Sequence, residues 1–413
     1  MKTLTAFLML LLSAGSCGTS AARNNTIDPP TPPTPPGVSK EAQKEFAASS
    51  TDFAFRFLRQ IDKNEKGDWF VSPLSLQFLL DMLLNGAQGK TAGEIAAVLG
   101  SDPARLDTLN AWSQQTMGIL PLRDSSVKLT LAGAIFLNDQ AALLPPYVKK
   151  METFYNATVE NLNFADEENA LQRINGWASE QTNGLIPGVL DQVNPGMLAY
   201  LLNALYFKGS WEYRFSKDLT GKEPFHLASG REKPVDMMRK TRKYLYAELD
   251  VCRSVRLDYG NGAYAMTVIL PTEGHSLDEV TASLDAGLWD KIRRRDMETR
   301  VDLWLPRFEA KYHVKLNDIL STMGMPRSFT QGQADFKLMS PMADYLDFVQ
   351  QDAIIKVDEE GTEAAAVSSA GMALATAVPE PRMVVFHADR PFLYLISDTR
   401  TGVILFAGKF TGQ

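Results

Sequence analysis

The residue types from which metal centres and nucleophilic sites are built are scarce in this chain. It has four histidines, His226, His275, His313 and His387, and two cysteines, Cys17 and Cys252. No two histidines stand at metal-ligand spacing, and neither HExxH nor CxxC occurs. There is no G-x-S-x-G elbow and no phosphate-binding glycine loop. The neighbouring carboxylates Glu359 and Glu360 sit where a solvated face is expected. A Ser/His/Asp site drawn together from distant segments stays open, but no spacing points to one. The expectation is therefore a protein that is not an enzyme, with no catalytic residue, no cofactor and no metal.

With 413 residues, 45% hydrophobic and 22% charged, the chain has the composition of a soluble globular protein. Its net charge is −7 and no basic patch stands out, so nucleic acid is not an expected partner. The N-terminus, "MKTLTAFLMLLLSAGSC", has a positive start, an apolar run and small residues before Cys17. It predicts a signal peptide over residues 1–16, too short to span a membrane. Small residues running into a cysteine resemble the bacterial lipoprotein box, with Ala14 where that box usually has Leu. Lipidation of Cys17 is the expectation, and an ordinary cleaved signal is the alternative. Gly18 after the cysteine favours the outer membrane. A lipidated Cys17 would leave Cys252 unpaired; otherwise one disulfide between the two is conceivable. Residues 17–40 contain "DPPTPPTPPG", with six of the 22 prolines, and read as a semi-rigid tether or as a leader without a role.

Domain 41–413 shows no second linker and no repeat. Residues 42–61 place Phe46, Phe53, Phe57, Leu58 and Ile61 on one helical face. "DWFVSP" reads as a short buried strand ended by Pro73, followed by a buried helix through Leu74, Phe78, Leu79, Met82 and Leu83. Thr91 and Glu94 have the spacing of a capping box ahead of "IAAVL". Strands are predicted at 129–137, 200–207, 264–270, 301–306, 351–357, 391–397 and 402–410. Helices first and strands later predict an α+β fold.

Between two of those strands lies Val357 to Pro381, "VDEEGTEAAAVSSAGMALATAVPEP". From Gly361 to Val378 it holds one charge, Glu363, and no proline. On "VDEEGTEAAA" (357–366) the chain resembles the hinge of the serpins, the serine-protease-inhibitor superfamily. Further blocks follow in that family's order: "FVSPLS" (70–75), "LLNGAQGKTAGEI" (83–95), "LLNALYFKGSWEYRF" (201–215), "VDMM" (235–238), "AMTVILP" (265–271), "LPRFEAKYHVKLNDILSTMGM" (305–325) and "ADRPFLYLISDTRTGVILFAGKF" (388–410). The resemblance covers residues 42–413. It implies three β-sheets with about nine helices and an exposed reactive loop at about 361–383.

The resemblance also implies a function. A target serine protease cuts the loop and forms an acyl-enzyme. The cut loop then inserts into the main sheet, which makes the protein a metastable, irreversible suicide substrate. The alternative is a non-inhibitory binding or chaperone-like member. The implied hinge is Glu359, Glu360, Gly361, Thr362, Glu363, Ala364, Ala365 and Ala366. Counting fourteen residues from Gly361 puts the scissile bond at Ala375–Thr376, with Leu374 or Met372 as alternative cleavage points. Counting back from Pro391 gives Glu380 instead, and Arg382–Met383 lies too far along to be the functional bond. A scissile Ala behind Leu374 implies elastase-like or subtilisin-like targets. The implied sheet-opening cluster is Ser72, Ser75, Asn203, Gln351 and Trp211, with Gln351 where the family usually has His. The expected partners are serine proteases held in a covalent complex, and a membrane only through the lipid anchor. The expected state is a monomer, exported and anchored to the outer membrane, or otherwise secreted.

The composition of the loop suits that function. A segment destined to become a buried strand needs alternate residues that fit a core. From Thr362 these are Thr362, Ala364, Ala366, Ser368, Ala370 and Met372. None is charged, and all but Met372 are small.

Overall fold

The structure, a computed structural model, describes residues 38–294, 298–362 and 383–412. The expected signal peptide and Cys17 lie outside the described residues, as do most of the tether and the loop beyond Thr362. Among the described residues, nine α-helices and fifteen strands form an α+β domain.

The strands make two hydrogen-bonded sheets. The smaller runs Phe308–Lys315, Gln350–Val357, Gly361–Thr362, Ala199–Ser210, Lys128–Asn138 and Thr158–Leu162. The larger has nine strands, and the 17-residue strand Glu232–Glu248 joins its two halves. The first part of that strand pairs with Gly221–His226 and Glu298–Pro306, and its last four residues pair with Cys252–Tyr259. The second and third sheets implied by the resemblance are thus continuous through one shared strand.

Tyr264–Pro271, Phe392–Asp398 and Ile404–Phe410 are buried at every position, as strands covered on both faces must be. Ala199–Ser210 serves two cores by alternation. Leu205 and Phe207 join the main core; Tyr200, Leu202 and Ala204 pack with Ile174 and Trp177 of helix Glu167–Gln181.

Helix Pro73–Gly86 is buried along its whole length. Pro73 opens it, and the Ser72 side chain accepts from the Ser75 N–H, as a first-turn cap requires. Such a helix needs partners for every polar side chain. Asn85 and Asn110 exchange amide hydrogen bonds at 2.7 and 2.9 Å, and Tyr155 donates to Asn110 at 2.7 Å. Ser113 donates to Asp81 Oδ2 at 2.8 Å, while Asp81 Oδ1 has no partner. Burial pushes the Asp81 carboxyl up to about 8, and the Ser113 bond opposes this. The network ties this helix to Leu106–Ile119 and Pro145–Tyr155.

One predicted cap is corrected. The helix runs Gly89–Leu99 with Gln88 as its N-cap, so Thr91 and Glu94 lie inside it. The Thr91 hydroxyl accepts instead from the Asp335 N–H at 2.9 Å, and Glu94 pairs with Arg327 at 3.3 Å. Tertiary partners win over the local box.

Candidate functional site

The strands Gln350–Val357 and Ala199–Ser210 lie side by side in the smaller sheet, yet among the described residues no register joins them directly. Gly361–Thr362 stands between them at one end, with Thr362 facing Val357 on one side and Gly209 on the other. Further along, Phe70, Phe207, Ile355, Ile396 and Phe406 line the slot between the two strands.

The entry to the slot is held by a tight turn. Asp358 Oδ1 accepts from the N–H groups of Glu360 (2.9 Å) and Gly361 (3.2 Å). The segment after Ala199–Ser210 wraps this turn: Trp211 N–H donates to Glu360 O, Phe215 N–H to Glu359 O, and Trp211 Nε1 to Asp358 O. Gly361 is required by close approach, since a Cβ there would lie 2.1 Å from the Gly209 carbonyl oxygen. Thr362 is buried, its hydroxyl 2.7 Å from that of Tyr259. The Tyr259 ring stacks on Trp211 at 4.5 Å. Full burial pushes the Tyr259 hydroxyl well above its ordinary range, so it stays a neutral hydrogen-bonding partner.

The two hinge carboxylates differ from expectation. Glu359 is buried rather than solvated: Thr220 donates to it at 2.7 Å, and Arg307 lies at 3.6 Å. Glu360 pairs with Arg214 at 2.7 Å. The turn brings them under basic and hydroxyl groups that are distant in sequence.

At mid-slot, four of the five predicted cluster residues come together. Ser72 N–H donates to Gln351 Oε1 at 2.8 Å, and Gln351 Nε2 donates back to Ser72 O at 2.9 Å. Ser75 donates to Asn203 Oδ1 at 2.6 Å. An amide can bond in both senses at once, which is how Gln351 fits a position where the family usually has His. One end of helix Pro73–Gly86 thereby touches both walls of the slot. Trp211, the fifth residue, does not join them; it stands at the hinge end, against Tyr259.

Glu363, Ala364, Ala365, Ala366, Met372, Leu374, Ala375 and Thr376 lie outside the described residues. Tyr259, Asp358, Arg214 and Thr220 are the residues that sequence reasoning missed. Tyr259 and Thr220 carry no local signal, because only the fold brings them to the hinge; Asp358 and Arg214 lie within the blocks 357–366 and 201–215.

The histidines stay apart, paired with Glu232, Glu279, Asp352 and Asp302 respectively. His313 lies 2.7 Å from Asp352 at an exposed site, and His387 lies 3.0 Å from Asp302. There the ring stacks on Trp304, and the nearby Thr241 hydroxyl bonds the carboxylate rather than the ring. Cys252 is a buried free thiol, pushed up to about 11 by burial.

Two sheets, with Gly361–Thr362 seated between two strands of the smaller one, define the architecture. Residues 48–412 match the family model described as Serpin (serine protease inhibitor), and the chain belongs to that family. It is 34% identical over 384 residues to a leukocyte elastase inhibitor of Xenopus tropicalis, covering 89% of this chain and 99% of that one. Among solved structures it resembles the thermophilic serpin tengpin in the native state, with 26% identity and TM-score 0.81, over 91% of this chain and 95% of that one. It also resembles thyroxine-binding globulin in complex with thyroxine, with 26% identity and TM-score 0.79, over 89% and 99%. Serpins are protease inhibitors rather than enzymes.

Proposed function

We propose that this chain is an irreversible inhibitor of serine proteases that takes its own cut loop into the smaller sheet. The observation that carries this reading is the hinge: Gly361–Thr362 is already paired between Gln350–Val357 and Ala199–Ser210. The serine Oγ of a protease attacks the carbonyl carbon of Ala375. The Ala375–Thr376 bond breaks, the Thr376 amine leaves with the proton, and an ester remains. Insertion of the loop behind Thr362 then carries the protease away before water attacks that ester. Elastase-like or subtilisin-like targets fit Ala375 behind Leu374, and the likeness to a protein named leukocyte elastase inhibitor points the same way. Leu374 or Met372 would serve chymotrypsin-like enzymes.

The same reading makes residues 1–16 an export signal and Cys17 a lipidated anchor. Residues 17–40 then hold a monomeric domain off a bacterial outer membrane. The test is incubation with pancreatic elastase, subtilisin, chymotrypsin and trypsin. A covalent complex that survives boiling in detergent is expected with the first two, and the released peptide should begin at Thr376. Cutting without any complex would favour the binding-protein alternative.

A further inference from the structure

A cavity of about 60 Å³ lies where helix Lys40–Asn64, helix Leu106–Ile119 and the turn between strands Phe392–Asp398 and Ile404–Phe410 meet. It shares no residue with the hinge or the slot. Trp112, Ile119, Leu120 and Val403 give it an apolar wall. Two polar side chains also line it, each with unmade hydrogen bonds. Gln115 is only 6% exposed, and its Oε1 has no partner among the described residues. The Arg123 side chain is 11% exposed, and neither its Nε nor its Nη1 donates a hydrogen bond among the described residues. Buried atoms of this kind are rarely left unmatched, because each has given up its bonds to water.

Asp398 does not meet the need. Its Oδ1 lies 3.3 Å from Arg123 Nη1 as an ion pair only. Its oxygens accept instead from the N–H groups of Arg400 (3.4 Å) and Thr401 (3.2 Å) and from the Thr401 hydroxyl, which close the turn. Among the lining residues Arg123 is the one cation and Asp398 the one anion. Helix Ala286–Arg293 lines no part of the cavity, but Arg293 brings a second cation to the turn by donating to Thr401 O at 3.1 Å.

The unmet groups define their complement. Arg123 calls for an acceptor, best a carboxylate, whose bond to a guanidinium is charge-assisted. Gln115 Oε1 calls for a donor, which a hydroxyl supplies and a carboxylate does not. A water-sized group takes about 10–15 Å³, so the cavity admits about four to six of them, the size of glycolate or lactate. We propose that this cavity binds a small α-hydroxy carboxylate. Its carboxylate accepts from Arg123, its hydroxyl donates to Gln115 Oε1, and its carbon chain lies against the apolar wall. The bound acid ties the two helices to the turn between two core strands, and it needs nothing from the reactive loop.

The test is thermal unfolding of the intact full chain with sodium lactate, sodium propionate, lactamide or sodium chloride, the salts at equal ionic strength. Lactate should raise the melting temperature by a few degrees, saturably and at millimolar concentration. Propionate, which lacks the hydroxyl, and lactamide, which lacks the charge, should each raise it much less. Gln115→Leu keeps the bulk of the side chain and removes the acceptor. By calorimetric titration it should bind lactate about tenfold more weakly than wild type does, as the loss of one hydrogen bond predicts. Its affinity for propionate should be unchanged. Lactate acting on the wild type no better than propionate or chloride would overturn the proposal, as would lactate binding equally well to wild type and Gln115→Leu.

Discussion

Asp81→Asn should remove a pH dependence that the fold builds into its core. In the folded chain Asp81 is fully buried, accepts one hydrogen bond, from Ser113, and has no cation among the influences on it. The groups turned toward it are neutral: Ser113 from one helix, and Tyr155 from another, itself raised by burial. The carboxyl thus sits at about 8 in the fold against an ordinary 3.8. Below the lower value both states are neutral, and above the upper value both are ionised. Between them the folded state holds one proton more than the unfolded, so stability falls as pH rises. The slope is about 1.4 kcal/mol per pH unit, or about 4 kcal/mol between pH 5 and pH 8. Asparagine keeps the oxygen that Ser113 bonds and cannot titrate. Urea unfolding of the intact proteins at several pH values should show the wild type losing about that much relative to the variant. Two parallel stability profiles would refute the reasoning, as would a wild type lacking the infrared band of a buried protonated carboxyl at neutral pH.

Thr362→Arg should turn the inhibitor into a substrate. It replaces a buried hydroxyl bonded to Tyr259 with an unpaired guanidinium, which costs several kcal/mol already in the intact protein and should unseat the hinge from which insertion would start; an unchanged stoichiometry of inhibition would count against that role of the hinge. Gln351→Glu should destabilise the intact protein by about 1–3 kcal/mol, because a carboxylate oxygen would face the Ser72 carbonyl that now receives an N–H. Thermal unfolding measures this, and no change would mean that the pair does not hold the slot wall. Cys17→Ala should move the protein from the membrane to the soluble fraction; a wild type already soluble would leave residues 1–16 as an ordinary signal.

Much of the architecture was legible because its core strands are nearly continuous apolar runs bounded by turn residues. The predicted strands at 129–137 and 264–270 correspond to Lys128–Asn138 and Tyr264–Pro271. The strand Glu232–Glu248 was not predicted. Its "RKTRK" centre lies on a half-covered face and shows no apolar period, although the sheet depends on it. The mid-slot cluster was legible through resemblance, yet the placing of Trp211 with it was not sound. Trp211 follows Asn203 closely in sequence, but the strand between them carries the chain from mid-slot to the hinge end and so separates the two. Glu359 misled for the opposite reason: its burial depends on Thr220 and Arg307, which sequence distance hides.

The hinge pairing bears on kinetics as well as on shape. Adding a strand to a sheet ordinarily begins with an unfavourable nucleus, because the chain must be brought to the sheet before any ladder bond rewards it. Here Gly361 and Thr362 already hold that nucleus, fixed by the Asp358 turn and by Tyr259. On the proposed reading, insertion would be elongation from a seated end, one residue at a time. Its rate would then depend on how readily the bonds Ser72–Gln351 and Ser75–Asn203 give way, not on a search for the entrance.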